Sequence, residues 1–277
     1  MATYILRISS PDEKGLIYRV TKILFEGRLN IVGNDEFVDD QGRHFFMRTE
    51  FAGDCRPEEL QAQLKAALPA AHIELDRPRR RAVVVLATSE PHCLGDLLLR
   101  HAYGELRAQI RAVVSNRPDL ESLVRRFELP FHFVASEGLS REAHEAALLG
   151  VVQGYSPEYL VLAKYMRILT PALVGRYPYR IVNIHHSFLP AFVGASPYRQ
   201  AYARGVKIIG ATAHFVDEQL DEGPIIAQSV IPVDHTHSAG DMAQAGRDVE
   251  KVVLARALKL VFEGRVFVSG NRTIIFD

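Results

Sequence analysis

Two cysteines, Cys55 and Cys93, are all that the 277 residues contain. They stand far apart without CxxC or Cys/His spacing, which excludes a disulfide framework and gives no zinc knuckle. A reduced cytoplasm is the compartment that suits such a chain. An excess of charge of one sign is also missing: 33 Lys+Arg balance 33 Asp+Glu. Proteins that hold polyanions usually carry a basic surplus, so nucleic acid is not an expected partner. No apolar run approaches the ~20 residues of a membrane span, so no membrane partner is expected. The first residues (MATYILRISSPDEKG) break their apolar run at Arg7 and offer no cleavage-type site, so no signal peptide is expected. Internal repeats and low-complexity tracts are absent too. What is present is an ordinary globular composition, 48% hydrophobic and 24% charged. The length suits about two domains. It also buries enough surface to fold without metal or disulfide.

The sharpest change in composition is Arg77-Pro78-Arg79-Arg80-Arg81, directly before the apolar run Ala82-Val83-Val84-Val85-Leu86. Pro78 opposes regular pairing and like charges favour solvent, so residues 78–82 read as a linker between a domain at 1–77 and another at 83–277. Upstream, 3–8 reads as a strand and 15–26 as a helix, with Leu16, Val20, Ile23 and Leu24 at helical spacing. Strands follow at 31–38 and 44–51 around the turn Asp39-Asp40-Gln41-Gly42, then a helix at 57–68 and a strand at 71–75. The order βαββαβ is ferredoxin-like. With Asp12-x-x-Gly15 in its first loop, the unit resembles an ACT domain, which implies an amino-acid effector and self-association into a homo-oligomer.

Downstream, apolar strands at 82–87, 108–114, 131–135, 159–163 and 181–184 alternate with helices at 92–101, 118–127, 140–151 and 171–176. This pattern predicts a Rossmann-like α/β domain with a mostly parallel sheet covered on both faces. Strands at about 207–216 and 225–233 follow. A helix at 239–263 closes the series, with Val249, Val253, Ala257, Leu258 and Val261 on one face and Gly264 placed to end it.

Open parallel sheets bind ligands beyond the carboxyl ends of their strands. Ile181-Val182-Asn183-Ile184 ends there, and His185, His186 and Ser187 follow at once. In extended chain, i and i+2 share a face, so Asn183 and His185 point together and His186 points away. A carboxamide beside an imidazole offers a hydrogen-bond donor and an acid/base group to one substrate atom; it can equally cap the strand. About 35 residues on, His214 ends a strand, and Asp221 follows in a turn held by Gly223-Pro224. That aspartate is either a positioned carboxylate or an ordinary turn residue.

Three ordered motifs decide between such readings: Asn183-Ile184-His185-His186-Ser187-Phe188-Leu189-Pro190, Gly210-Ala211-Thr212-Ala213-His214, and Leu220-Asp221-Glu222-Gly223-Pro224-Ile225-Ile226-Ala227-Gln228. They resemble the folate-dependent formyltransferase fold. Ala163 to Leu169, the double histidine, Pro91-His92-Cys93-Leu94, Ala245 to Lys251 and the ACT-like unit are similar to its hydrolase branch, the formyltetrahydrofolate deformylases. The resemblance covers nearly the whole chain. It implies hydrolysis of 10-formyltetrahydrofolate to tetrahydrofolate and formate, which supplies purine synthesis, with the folate as substrate and no separate cofactor or metal. It maps the catalytic trio onto Asn183, His185 and Asp221. Met166, Arg167, Ile168, Leu169 and the backbone from Val216 to Asp221 would line the pterin pocket, with His214 supporting the site. One departure is Ser115-Asn116-Arg117, where the branch usually has Ser-Asn-His.

Transfer of the formyl group to an amine such as glycinamide ribonucleotide is the nearest alternative. It wants a Gly-rich phosphate loop after the first strand of the domain, and here that stretch is Thr88-Ser89-Glu90-Pro91-His92-Cys93-Leu94-Gly95. One glycine, a proline without N–H and an acidic Glu90 dismantle such a cradle. A transfer-RNA formyltransferase would want a basic C-terminal extension, which the sequence does not carry. A metal hydrolase using His185, His186, His214 and Asp221 lacks HExxH-type spacing. Asp234-His235-Thr236-His237 reads as a polar loop. A non-catalytic folate or amino-acid sensor is the remaining class.

Overall fold

Alternating apolar residues make β1 (Thr3–Pro11) an inner strand, with Tyr4, Leu6 and Ile8 buried in the computed structural model, which describes residues 2–190 and 197–277. In α1 (Leu16–Glu26), Leu16, Val20 and Leu24 are buried one turn apart and form the helix's core-facing stripe. The hairpin of β2 (Asn30–Asp39) and β3 (His44–Ala52) leads to α2 (Pro57–Ala67), which starts on a proline and buries Leu60 and Leu64. With β4 (His72–Asp76) the sheet has the order β2-β3-β1-β4, antiparallel throughout. This is the ferredoxin-like order that the sequence predicts.

The second sheet begins with β5 (Arg81–Ala87), followed by α3 (Pro91–Ala102), β6 (Ala108–Ser115), the short α4 (Glu121–Arg125), β7 (Phe131–Phe133) and α5 (Arg141–Gly154). Next come β8 (Tyr159–Leu162), α6 (Pro171–Val174), β9 (Ile181–His185), α7 (Pro197–Arg204), β10 (Ile208–Phe215), β11 (Ile225–Pro232) and the 24-residue α8 (Ala239–Phe262). A two-stranded sheet of β12 (Val266–Ser269) and β13 (Arg272–Ile275) follows. The seven strands lie in the order β11-β10-β9-β8-β5-β6-β7. From β9 to β7 every pairing is parallel, and β10 and β11 add an antiparallel edge. Residues 82–87 are all buried, as a central parallel strand covered on both faces requires. No helix among the described residues is long and apolar enough to cross a membrane.

The chain divides into two compact units, one up to Arg79 joined by Glu263–Phe267 and Ile274–Asp277, the other Arg80–Phe262 with Val268–Thr273. The expected partition of 1–77, 78–82 and 83–277 is therefore corrected at both ends. β5 starts inside the expected linker, because the Arg81 amide bonds to the Arg107 carbonyl and its guanidinium meets Glu158 at 3.4 Å. Arg77 is not simply solvated either: it lies over the Tyr4 ring and donates to its hydroxyl at 2.7 Å. At the other end, Phe267 packs edge-on against Phe46, and Arg7 sits 4.4 Å over the Phe267 ring and donates to Val266. Contacts so distant in sequence leave no local pattern. Two expected helices are shorter than predicted: 118–127 reduces to α4, and 171–176 to α6. The strand expected at 131–135 ends at Phe133.

Candidate active site

Pairing register builds the site. Antiparallel β9 and β10 set His214 opposite Asn183 and Thr212 opposite His185. A bulge in the β10–β11 pairing falls between Ala213 and His214, where the ladder turns aside from regular geometry. His214 Nδ1 bonds to the Phe215 carbonyl at 2.8 Å, and its Nε2 meets the Asn183 carboxamide nitrogen at 3.1 Å. The carboxamide is thus fixed by one N–H, and it has a second N–H to offer a ligand. Thr212 pins the chain leaving β9: its hydroxyl donates to the Ser187 carbonyl and accepts from the Leu189 amide, and Gln228 ties the same loop from β11.

Asp221 approaches from the turn between β10 and β11. Its Oδ2 lies 3.2 Å from His185 Nδ1, and its Oδ1 lies 3.6 Å from His214 Nε2. Burial pushes this carboxyl up, but hydrogen bonding with His185 and His214 outweighs it and holds the group well below the usual carboxylate range. Asp221 has φ 58°, in the left-handed region that aspartate tolerates better than most residues. The turn itself depends on Gly223, where a Cβ would stand 1.9 Å from the Phe215 carbonyl oxygen. His185 is buried, and among the described residues nothing meets its Nε2. A buried ring nitrogen in that state is poised for a ligand.

These groups share a cavity of about 390 Å³. Asn183, His185, His214 and Asp221 line it together with Met166, Arg167, Ile168 and Leu169, and Val216 completes the wall. The sequence-predicted residues are thereby brought to one place. Met166 and Ile168 are exposed, an apolar surface suited to a flat aromatic ligand. Two buried ties hold their loop. The Met166 amide donates to the Thr88 hydroxyl at 2.9 Å, and Glu145 on α5 accepts from both the amide and the hydroxyl of Thr170.

His186 departs from the sequence reading. β9 ends at His185, so strand alternation no longer governs the next residue, and the His186 ring stacks on that of His185 with centroids 4.9 Å apart and an interplanar angle of 14°. Beside the cavity lies a buried ionic network that no local motif marks. Lys164, with φ 63°, sets its ammonium 3.2 Å from Glu250 on α8. Glu250 also meets His92 Nε2 and accepts from the Tyr198 hydroxyl, each at 2.7 Å. A signal existed: Glu250 sits on the same face of α8 as Val249 and Val253, where a carboxylate is out of place without partners. His92, Cys93 and Glu250 bring three ligand-type atoms within 4.8 Å of one another. Glu250 is already engaged by the Lys164 ammonium, and burial together with Glu250 raises the Cys93 thiol far above its ordinary range, so the donor set suits an ion pair better than a metal.

The remaining motifs resolve simply. Arg117, standing where a histidine was expected, is exposed, pairs with Asp119 at 3.1 Å and is not among the residues that line the cavity. Pro91, which has no N–H to offer, opens α3, and the acidic Glu90 stands at its N-cap position without a side-chain cap hydrogen bond. Asp234 Oδ1 accepts from Thr236 and contacts His237 in a local turn ahead of α8.

A formyl transferase family model matches residues 81–258. The formyltetrahydrofolate deformylase of Escherichia coli (strain K12) is 57% identical over 272 residues, covering 98% of this chain and 97% of that protein. The crystal structure of a formyltetrahydrofolate deformylase from Pseudomonas syringae pv. tomato superposes with a TM-score of 0.96 at 39% identity, covering 100% of this chain and 95% of the other. A glycinamide ribonucleotide transformylase from Symbiobacterium toebii gives 0.68 at 34% identity, covering 72% of this chain and 95% of its own. The likeness to the deformylases extends over the whole chain, whereas the transformylase falls short by roughly the length of the first unit.

Proposed function

This chain belongs to the formyltetrahydrofolate deformylase family, and on that premise we propose that Asn183, His185 and Asp221 carry the hydrolysis of 10-formyltetrahydrofolate to tetrahydrofolate and formate. The observation that supports these roles best is the open, buried Nε2 of His185, beside a fixed Asn183 amide and backed by Asp221. The substrate is an N-aryl formamide, so the barrier lies in forming a tetrahedral oxyanion and expelling a poorly basic nitrogen. Asn183 and an N–H of His185 donate to the formyl oxygen as charge develops on it, a contribution of about 10²–10³ in rate for each such donor. Asp221 orients the water and takes its proton as the oxygen attacks the formyl carbon. Collapse breaks the carbon–nitrogen bond, the proton that Asp221 took from the water is relayed to the departing nitrogen, and formate leaves. The pterin lies against Met166, Arg167, Ile168 and Leu169, with Val216 and the turn to Asp221 on the opposite wall and His214 holding Asn183.

Purified protein given 10-formyltetrahydrofolate and no amine is expected to release formate and tetrahydrofolate in equal amounts. Formate release that required an added amine would overturn the hydrolytic reading.

The first unit is proposed to bind an amino-acid effector and to join copies of the chain into a homo-oligomer in the cytoplasm. Its ferredoxin-like sheet supports this, as does the extension of the deformylase likeness through it. Calorimetry with single amino acids tests the effector.

A further inference from the structure

The buried network of Lys164, Glu250, His92 and Tyr198 takes no part in the reaction as described. Removing a lysine and a carboxylate from water is seldom repaid in stability alone. Four segments nevertheless converge to make the network: the end of β8, the start of α3, α7 and α8. Lys164 adopts a left-handed backbone that few lysines take, with its side chain only 4% exposed. Gly246 on α8 leaves the space for Tyr198, since a Cβ there would lie 2.1 Å from the Tyr198 hydroxyl. The network also reaches the reaction cavity, because Lys164 and His186 both line it.

We propose that Lys164, held on the cavity wall by Glu250, is a positioning residue that disfavours charge on His186 and so leaves His185 as the ring that works with Asp221. The stack itself supplies the reason. Two imidazolium rings 4.9 Å apart repel each other strongly where water is scarce, so one proton is shared between two candidate sites. Asp221 faces His185 Nδ1 at 3.2 Å. The charged and titratable groups that bear on His186 are Lys164, His185, Glu250 and Asp221, with the Tyr198 ring 6.4 Å away. Burial lowers its proton affinity most, Lys164 and His185 lower it further, and Glu250 and Asp221 oppose them, with the balance at about 4. His186 is then a neutral platform beneath the working ring.

This inference rests on the catalytic role proposed for His185, but its main readout needs neither substrate nor turnover. Histidine-labelled protein is titrated by NMR as the wild type, as Lys164→Met, and as Lys164→Met/Glu250→Gln, which leaves no unpaired buried carboxylate. In the wild type His186 stays neutral down to about pH 5. In Lys164→Met its midpoint rises toward the ordinary value of about 6.5, and in the double variant it rises less. The acid limb of kcat moves up in step, so that turnover at about pH 6 relative to pH 8 falls roughly tenfold for each pH step of one by which the limb moves. Lys164→Met/His186→Phe restores the limb, because a phenyl ring cannot take the proton. A His186 midpoint unmoved in both charge variants overturns the proposal. So does a midpoint that moves while the acid limb stays. Loss of formate production in His185→Asn tests the catalytic reading separately.

Discussion

Asp221 is a carboxylate whose protonation is decided by two imidazoles rather than by its exposure. Its position below the usual range means that it remains an anion across the whole working pH range, so Asp221 is not expected to set an acid limb of turnover. Asp221→Asn keeps the size and the left-handed tolerance of the residue while removing its capacity to take a proton. Turnover is expected to fall by roughly 10²–10⁴ with KM changed only a few-fold. Steady-state rates within twofold of the wild type would remove Asp221 from the chemistry. That Asn183 and His185 meet in one cavity was legible in the sequence because a strand face has period two, and both fall on one face. His186 was misassigned by the same rule, since it stands one residue past the end of the strand.

At the scale of elements, the turn between β10 and β11 does what neither strand could do alone. The Phe215 amide bonds to the Pro224 carbonyl, and the chain doubles back so tightly that Gly223 touches the Phe215 backbone. The obstruction at Gly223 is a backbone oxygen, which cannot rotate away as a side chain can. Gly223→Ala is therefore expected to cost about 1–3 kcal/mol in stability and to move Asp221 away from His185. Activity should fall by more than tenfold in protein that is still folded, a drop that circular dichroism and kinetics measured together can separate from unfolding. Full activity would show that the turn tolerates rearrangement. Long periodic elements such as α1, β5 and α8 were readable from their apolar spacing. α7 and the β12–β13 pair were not expected, because α7 has little apolar face of its own and the pair is too short to show a period.

For the molecule as a whole, a hydrolase that drains formylated folate wastes it unless something restrains it, which is the physiological argument for a sensing first unit. One or more amino acids are expected to bind with measurable heat and to change the rate of formate release. The absence of both effects across the common amino acids would leave that unit structural. Two α/β units, the order of elements along each and the residues that meet in the cavity could be read from the amino-acid string. Each of these is a local pattern: a periodicity, a cap, a turn or an ordered motif. Three-dimensional packing was needed to establish that the C-terminal segments join the first unit, that His186 stacks on His185, and that Lys164 finds Glu250 across 86 residues of chain. Burial strengthens charge–charge interactions and makes unpartnered polar atoms costly, but which groups are buried together is set by packing between elements distant in sequence.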